Sequence, residues 1–367
     1  MEEKKLDKNS IIGFILIFGI LLWIMYQNQP KPEEIAAEKA KKEQIQKAQK
    51  AKEAVAKQAA VVVADTTATS TEKLQKLQGT LGSFAYSASL PTAKEGTTTI
   101  ENDLVKLTIS NKGGFISEAT LKKFDKIKKN SGELVSLIKN NNANFNLELQ
   151  TKDNRVLNTK DLFFEPTLTK VGENQVLSMK LKTGANEFLE YKYILKPNDY
   201  MVDFDLRSQG LNTALNTTKP ADLQWDLKSY RNEKSVSYEN RYAEIYYEHD
   251  GGKVDYAGLG KQEDEVLEKA SFIAFKQHLF TSILLTQSPI DNVKVSSTDL
   301  VNDDKKDTIY TKQFKSTLPL AFKNGELDYK MNWYYGPTDY KLLSKYEKNI
   351  EDIVPLGWGI FGWINKL

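Results

Sequence analysis

From Thr97 onward, apolar and polar residues alternate along the chain. In LVKLTIS, residues 104–110, Val105, Leu107 and Ile109 face one way and Lys106, Thr108 and Ser110 the other. NFNLELQ repeats the pattern with Phe145, Leu147 and Leu149, and VLSMKLK with Leu177, Met179 and Leu181. FLEYKYIL carries Leu189, Tyr191, Tyr193 and Leu195, and YMVDFDL carries Tyr200, Val202, Phe204 and Leu206. Near the end, LDYKMNWYY gives Leu327, Tyr329, Met331, Trp333 and Tyr335. Period two predicts strands with one wet face. Turn signals separate them at Asn111-Lys112-Gly113-Gly114, Lys196-Pro197-Asn198-Asp199 and Asn302-Asp303-Asp304. Many short strands without intervening helices predict a mainly β fold, an antiparallel sandwich over residues 97–336. One helical pattern follows. In TDYKLLSKYEKNIEDIV, Leu343, Tyr346, Ile350 and Ile353 recur at helical spacing, so residues 337–354 are predicted as a connecting helix. Thr338 is its expected cap, Asp339 suits the first turn, and Pro355 stops it.

The patterning before Thr97 is different. Residues 11–26, IIGFILIFGILLWIMY, are apolar and uncharged, close to the shortest run that spans a hydrocarbon core, roughly 17–25 residues. Ile11, Phe14, Ile15, Leu16, Phe18, Leu21 and Leu22 are read as the membrane-embedded side chains. Trp23 and Tyr26 sit where amphipathic rings favour the headgroup layer. A cleaved signal peptide would be shorter and followed by small residues; here Gln27-Asn28-Gln29-Pro30 follows. Residues 1–30 are therefore expected to be a short cytoplasmic tail and an uncleaved transmembrane helix. Lysines flank it on both sides, so charge does not set its orientation. The large part that follows it is expected to face away from the cytoplasm. Residues 31–60 are almost entirely Ala, Glu, Lys and Gln, a charged helical spacer with no heptad seam. Residues 61–96 turn Thr-, Ser- and Ala-rich and read as a flexible linker. At the other end, residues 355–367, PLGWGIFGWINKL, are too short to cross a membrane. Leu356, Trp358, Phe361 and Trp363 are read as making this segment an interfacial lead-in to a spanning helix, the alternative being that it folds back onto the β-domain as core cover.

Composition narrows the chemistry. With 51 basic and 49 acidic residues the net charge is +2, which argues against a nucleic-acid-binding surface. The absence of cysteine excludes disulfides, thiol catalysis and Cys-ligated metals. Only His249 and His278 are available as histidines. Residues 243–252, AEIYYEHDGG, gather Glu244, Glu248, His249 and Asp250, groups that an acid–base or metal site could use. A polar loop ending in a Gly-Gly turn explains them as well. His278 lies in the aromatic stretch SFIAFKQHLF and is read as a core or interface histidine. No catalytic or metal residue is assigned. Trp333-Tyr334-Tyr335 places rings on both faces of one strand, one for the core and one to be covered by the 338–354 segment or offered to a partner.

The order of these pieces resembles the YidC family of bacterial inner-membrane insertases, in the version with a large periplasmic domain. ENDLVKLTISNKGGFISEATLKKF at 101–124 is similar to that family's first hairpin with its Gly-Gly turn. YKYILKPNDYMVDFDL at 191–206 resembles its central strand pair, and ASFIAFKQHLFTSILL at 270–285 its aromatic stretch. WYYGPTDYKLL at 333–343 resembles the glycine-proline exit into the last helix, and PLGWGIFGWINKL the start of the second membrane segment. The resemblance implies a β-supersandwich similar to galactose mutarotase, placed in the periplasm and tethered to the inner membrane. It implies a non-enzymatic role without cofactor. Its partners would be the Sec translocon with its accessory subunits, nascent membrane proteins and the lipid bilayer. The family's hydrophilic groove lies in membrane helices beyond Leu367, so no groove residue is carried over, and the chain is expected to be the N-terminal part of an insertase. A rival reading is an envelope-anchored carbohydrate-binding or carbohydrate-active protein on the same fold, although fold alone does not carry function.

Overall fold

The computed structural model describes residues 70–126, 132–249, 251–302 and 308–355. The anchor residues Ile11 to Tyr26, the spacer at 31–60, and Leu356, Trp358, Phe361 and Trp363 lie outside the described residues. Among the described residues, no helix is long and apolar enough to cross a membrane.

Alternation produces two antiparallel sheets. The smaller is a meander of β1 (Thr97–Glu101), β2 (Val105–Ser110), β3 (Ile116–Asp125) and β4 (Leu134–Ile138). The larger runs from one edge through β6 (Val156–Asn158), β5 (Ala143–Gln150), β11 (Ala221–Tyr230), β16 (Tyr310–Leu320) and β15 (Phe280–Asp299). It continues through β17 (Asp328–Pro337), β10 (Met201–Gln209), β9 (Phe188–Leu195), β8 (Asn174–Lys182) and β7 (Glu165–Val171). Three more strands leave this path: β14 (Gln262–Lys276) pairs with β15, β12 (Glu244–His249) with β14, and β13 (Lys253–Ala257) with β12.

Period two sets which face each sheet buries. In β11, Leu223, Trp225 and Leu227 are buried while Asp222, Gln224 and Asp226 lie on the wetter side. Register carries the same face across the sheet, with Phe145 opposite Trp225 and Val202 opposite Trp333. Trp225 stacks on Phe275 at 3.7 Å and meets Trp333 edge-on at 4.9 Å; Phe145 meets Trp333 at 5.6 Å. Ile116 and Ile138 of the small sheet close over Phe145, Tyr193 and Trp333, leaving a void of only about 10 Å³. The Tyr193 hydroxyl donates to the Gly114 carbonyl at 2.8 Å and ties the first hairpin to the large sheet. Gly114 has φ +66°, and a Cβ there would stand 2.8 Å from the Phe164 ring, so the Gly-Gly turn is a steric requirement.

Two sequence expectations are corrected. The linker reading of residues 61–96 gives way, within its described part, to α1 (Ser70–Leu81), a short 3₁₀ turn and α2 (Ala85–Ser89). Leu77, Leu81, Phe84 and Ala85 are buried, and the Ser87 hydroxyl donates to the Phe163 carbonyl at 2.6 Å. Apolar residues at helical spacing outweigh the Thr/Ser/Ala composition around them. The continuous helix expected at 337–354 is also absent. Instead, α4 (Tyr340–Leu343), separated in sequence from α2 by α3 (Val236–Arg241), is followed by 3₁₀ turns at Ser344–Tyr346 and Ile350–Ile353. Glu347 and Asn349 adopt positive φ and break the helix. Its cap is Asp339, which accepts the Leu342 N–H at 2.8 Å, rather than Thr338. The apolar pattern still does its work, since Leu343, Ile350 and Ile353 are fully buried.

Candidate functional site

The described residues concentrate polar and aromatic groups where α3 meets the β14–β15 turn. Ser235 caps α3 by accepting the Tyr238 N–H at 3.3 Å. Val236 and Glu239 point inward, while Tyr238 and Arg241 point out. Tyr238 and Tyr242, four residues apart, bring their rings to 5.0 Å. The buried Glu239 carboxylate accepts the Asn232 N–H at 2.9 Å and the Glu233 N–H at 3.1 Å, clasping the loop that enters the helix. Asn232 in turn donates from its amide to Gln277 at 2.8 Å, and Glu233 meets His278 Nδ1 at 2.7 Å. The His278 ring lies edge-on to Tyr238 at 4.9 Å and against Tyr242 at 5.0 Å.

Beneath these rings lies a buried ion pair. Lys276 is 1% exposed, and its Nζ donates to Glu244 and to the Tyr242 carbonyl, both at 3.3 Å. The Tyr246 hydroxyl donates to the same Glu244 oxygen at 3.1 Å, and the Lys276 ammonium sits 4.9 Å from the Tyr246 ring centre. Burial pushes the Lys276 pKa down and Glu244 opposes it; burial, with Glu244, pushes the Tyr246 hydroxyl up. One strand pair over, buried Lys312 donates to the Gly258 carbonyl, and its pKa is also lowered by burial. Glu244 is thus engaged by an ammonium and a hydroxyl, an arrangement that holds strands together and leaves it no role as a free base.

Burial raises the Glu239 carboxyl from 4.5 to about 7, against the opposing pull of the two N–H donors. Folding should therefore take up a proton here. The contribution is complete below about pH 4.5 and is lost as the pH rises through about 7, amounting to about 3 kcal/mol. Thermal midpoints of Glu239→Gln should vary less between pH 5 and 8 than those of the parent. An equal pH slope in both proteins would remove Glu239 as the cause.

A second feature is a groove of roughly 320 Å³ lined by Asp203, Asp205, Lys330, Asn332, Lys348 and Leu285 among others. Its acids are engaged: Asp203 with Lys196 at 2.9 Å and Asn332 at 2.9 Å, Asp205 with Lys330 at 3.5 Å.

The polar residues singled out at 243–252 do not converge. Glu244 starts β12 beside Lys276, whereas Glu248 and His249 lie at its far end; Asp250 is outside the described residues. Among the described residues, no group of three or more His, Cys, Asp or Glu could hold a metal ion. Trp333 and Tyr335 pack in the core, and Tyr334 on the other face is covered by Tyr346 at 5.7 Å. Lys276, Tyr238 and Tyr242 were not singled out from the sequence. The signal available was a lone lysine closing the apolar run ASFIAFK.

The family model of the YidC periplasmic domain matches residues 97–367. A membrane protein insertase YidC of Parabacteroides distasonis is 32% identical, covering 98% of this chain and 58% of that protein. The insertase YidC of Bacteroides fragilis is 30% identical over 98% of this chain and 57% of its own length. That of Chlorobaculum tepidum is 28% identical over 98% and 61%. The chain spans less than two thirds of the length of these curated relatives. Among solved structures, galactose 1-epimerase of Lactobacillus acidophilus is similar at a TM-score of 0.36 and 12% identity, covering 68% of this chain and 96% of the other. A galactose mutarotase-like protein of Lactobacillus casei is similar at 0.37 and 11%, covering 66% and 100%. Nothing about chemistry follows from likenesses this distant. By the match to residues 97–367, this chain belongs to the YidC periplasmic-domain family.

Proposed function

We propose that this chain is the N-terminal and periplasmic portion of an inner-membrane insertase, assisting insertion, folding and assembly of membrane proteins alone or with the Sec translocon. The observation that carries the reading is the alignment of 98% of the chain with proteins named membrane protein insertase. In this reading residues 1–30 are the cytoplasmic tail and anchor, and residues 31–60 a spacer. Residues 97–336 are a periplasmic β-supersandwich of the mutarotase kind. Residues 355–367, with Leu356, Trp358, Phe361 and Trp363, lead into the next membrane helix. The domain works by contact with nascent membrane proteins, the translocon and the bilayer, without turnover of a substrate. Glu244, engaged by Lys276 and Tyr246, is not available there as a free base.

A depletion strain lacking its own insertase tests this. Residues 1–367 alone should not restore growth. The same residues joined to the remaining membrane helices of the Parabacteroides distasonis insertase should restore it. Growth with residues 1–367 alone, or a stably expressed chimaera that fails, would overturn the proposal.

A further inference from the structure

We propose that the outer edge of β14, at residues 264–268, receives an extended, basic segment of a partner protein as an added strand. β12 pairs with β14 only at residues 273–276. Residues 262–270 therefore have β15 on one side and no strand on the other among the described residues. The hydrogen bonds say which backbone groups are left over. The Asp299 N–H donates to the Lys261 carbonyl at 2.9 Å, so Lys261 directs its backbone toward β15. Along an antiparallel strand, successive residues direct their backbone groups to opposite sides. The register is unbroken from Gln262 opposite Thr298 to Ala270 opposite Ile290, so Glu263, Glu265 and Leu267 also direct theirs to β15. Asp264, Val266 and Glu268 hold their N–H and C=O groups at the open edge. Their side chains share one face and all three are exposed, Val266 by 68%.

Charge and register select the occupant. Asp264 accepts the neutral Gln262 amide at 3.0 Å, and Glu265 accepts the Tyr247 hydroxyl, so both keep their charge. Asp264, Glu265 and Glu268 form no ion pair among the described residues, and Lys269 is engaged by Asp291 at 3.9 Å. Buried Lys312 acts on Glu263 and Asp299. Lys294 shares the face of Asp264, but it stands on β15 opposite Val266, one strand in from the edge. Burial, with the acids Glu265, Asp255 and Glu263, pushes the Tyr247 hydroxyl up, as a negative field beside this strand requires. A second copy of this chain is a poor occupant. Antiparallel pairing centred on Val266 would set Asp264 against Glu268 of the second copy, and like charges directly opposite destabilise a sheet. A strand with Lys or Arg two residues to either side of an apolar residue answers all three positions. Its cations meet Asp264 and Glu268, its apolar side chain covers Val266, and its main chain completes the edge.

The test uses the full chain in detergent and the fluorescein-labelled peptide Thr-Lys-Thr-Val-Thr-Lys-Thr. One control peptide has glutamate for both lysines. Another is methylated on the valine nitrogen, whose N–H faces the Val266 carbonyl in the added strand. Anisotropy should rise saturably with the first peptide only. Val266→Pro removes one outward N–H and spares the bonds to β15, a position where edge strands accept proline. It should weaken binding by about tenfold. Asp264→Lys with Glu268→Lys should weaken it by about as much and shift preference to the glutamate peptide. Thermal midpoints near that of the parent confirm that the variants fold. If Val266→Pro does not fold, the charge-reversed variant and the methylated peptide still decide. No saturable binding, equal binding of the glutamate or the methylated peptide, or undiminished binding by the charge-reversed variant would each overturn the proposal. So would a concentration-dependent dimer of the chain alone that is lost in Val266→Pro, which would give the edge to a second copy.

Discussion

Lys276→Met should lower folding stability by about 3–5 kcal/mol, because it removes one partner of a buried ion pair and strands the other. The side chain is nearly the same size, so little of the loss comes from packing. What remains is Glu244, 7% exposed, with the Tyr246 hydroxyl bonded to it and the Lys312 ammonium acting on it only by charge. The Tyr242 carbonyl also loses the ammonium that tied α3 to the end of β14. Combining Lys276→Met with Glu244→Gln should recover much of the loss, since a neutral amide can still accept from Tyr246. Urea unfolding of the parent, both single variants and the double variant gives the coupling directly. If the losses simply add, the pair is not the unit described here.

A loss of similar size, about 3–5 kcal/mol, is expected for Trp225→Ala. Trp225 lies at the junction of four packed rings, stacked on Phe275 and crossed by Trp333, with Phe145 opposite it on the neighbouring strand. It is 2% exposed, and the strands around it are paired on both sides, so the sheet cannot collapse to fill the space. Trp225→Phe should lose less, because part of the stack on Phe275 survives. Denaturation curves with unchanged slope and a lower midpoint would report a cavity in an otherwise intact fold. A Trp225→Ala midpoint close to the parent's would show that the aromatic core is not where the stability resides.

The parts of this fold visible in the sequence were those where burial follows period two. In β2, β5, β8, β9, β10 and β17 the apolar face read from alternation is the one that faces the core, although Met201 and Tyr334 are buried on the opposite face as well. β14 and β15 escaped that reading for a physical reason. Phe272 to Lys276 is buried on both faces, and a register shift between Ala270 and Phe272 interrupts the alternation. α1 was hidden by composition, although Leu77 and Leu81 already had helical spacing. In the 338–354 segment, the apolar spacing was right but the continuity was not. Positive φ at Glu347 and Asn349 is stabilised by what the following turn buries, and single-sequence propensity does not report that. The α3 cluster was the least legible. Glu244 and Lys276 are 32 residues apart, and Glu233 and His278 are 45 apart. Their meeting is fixed by strand pairing that no local window contains.

The place of β17 in the large sheet sets a timetable for a chain that emerges from its N-terminus. β17 is the last strand among the described residues, yet it lies inside the sheet, bonded to β15 on one side and to β10 on the other. Until residues 328–337 are available, β10 and β15 present two open edges and the aromatic core lacks Trp333. At synthesis rates of roughly 5–20 residues per second, the gap between β10 and β17 corresponds to a delay on the order of ten seconds. During that interval the nascent domain holds the unpaired edge of β10, joined by that of β15 once residues 280–299 are made, edges of the sort that recruit other chains. A chain released before Pro337 would be left with this gap permanently.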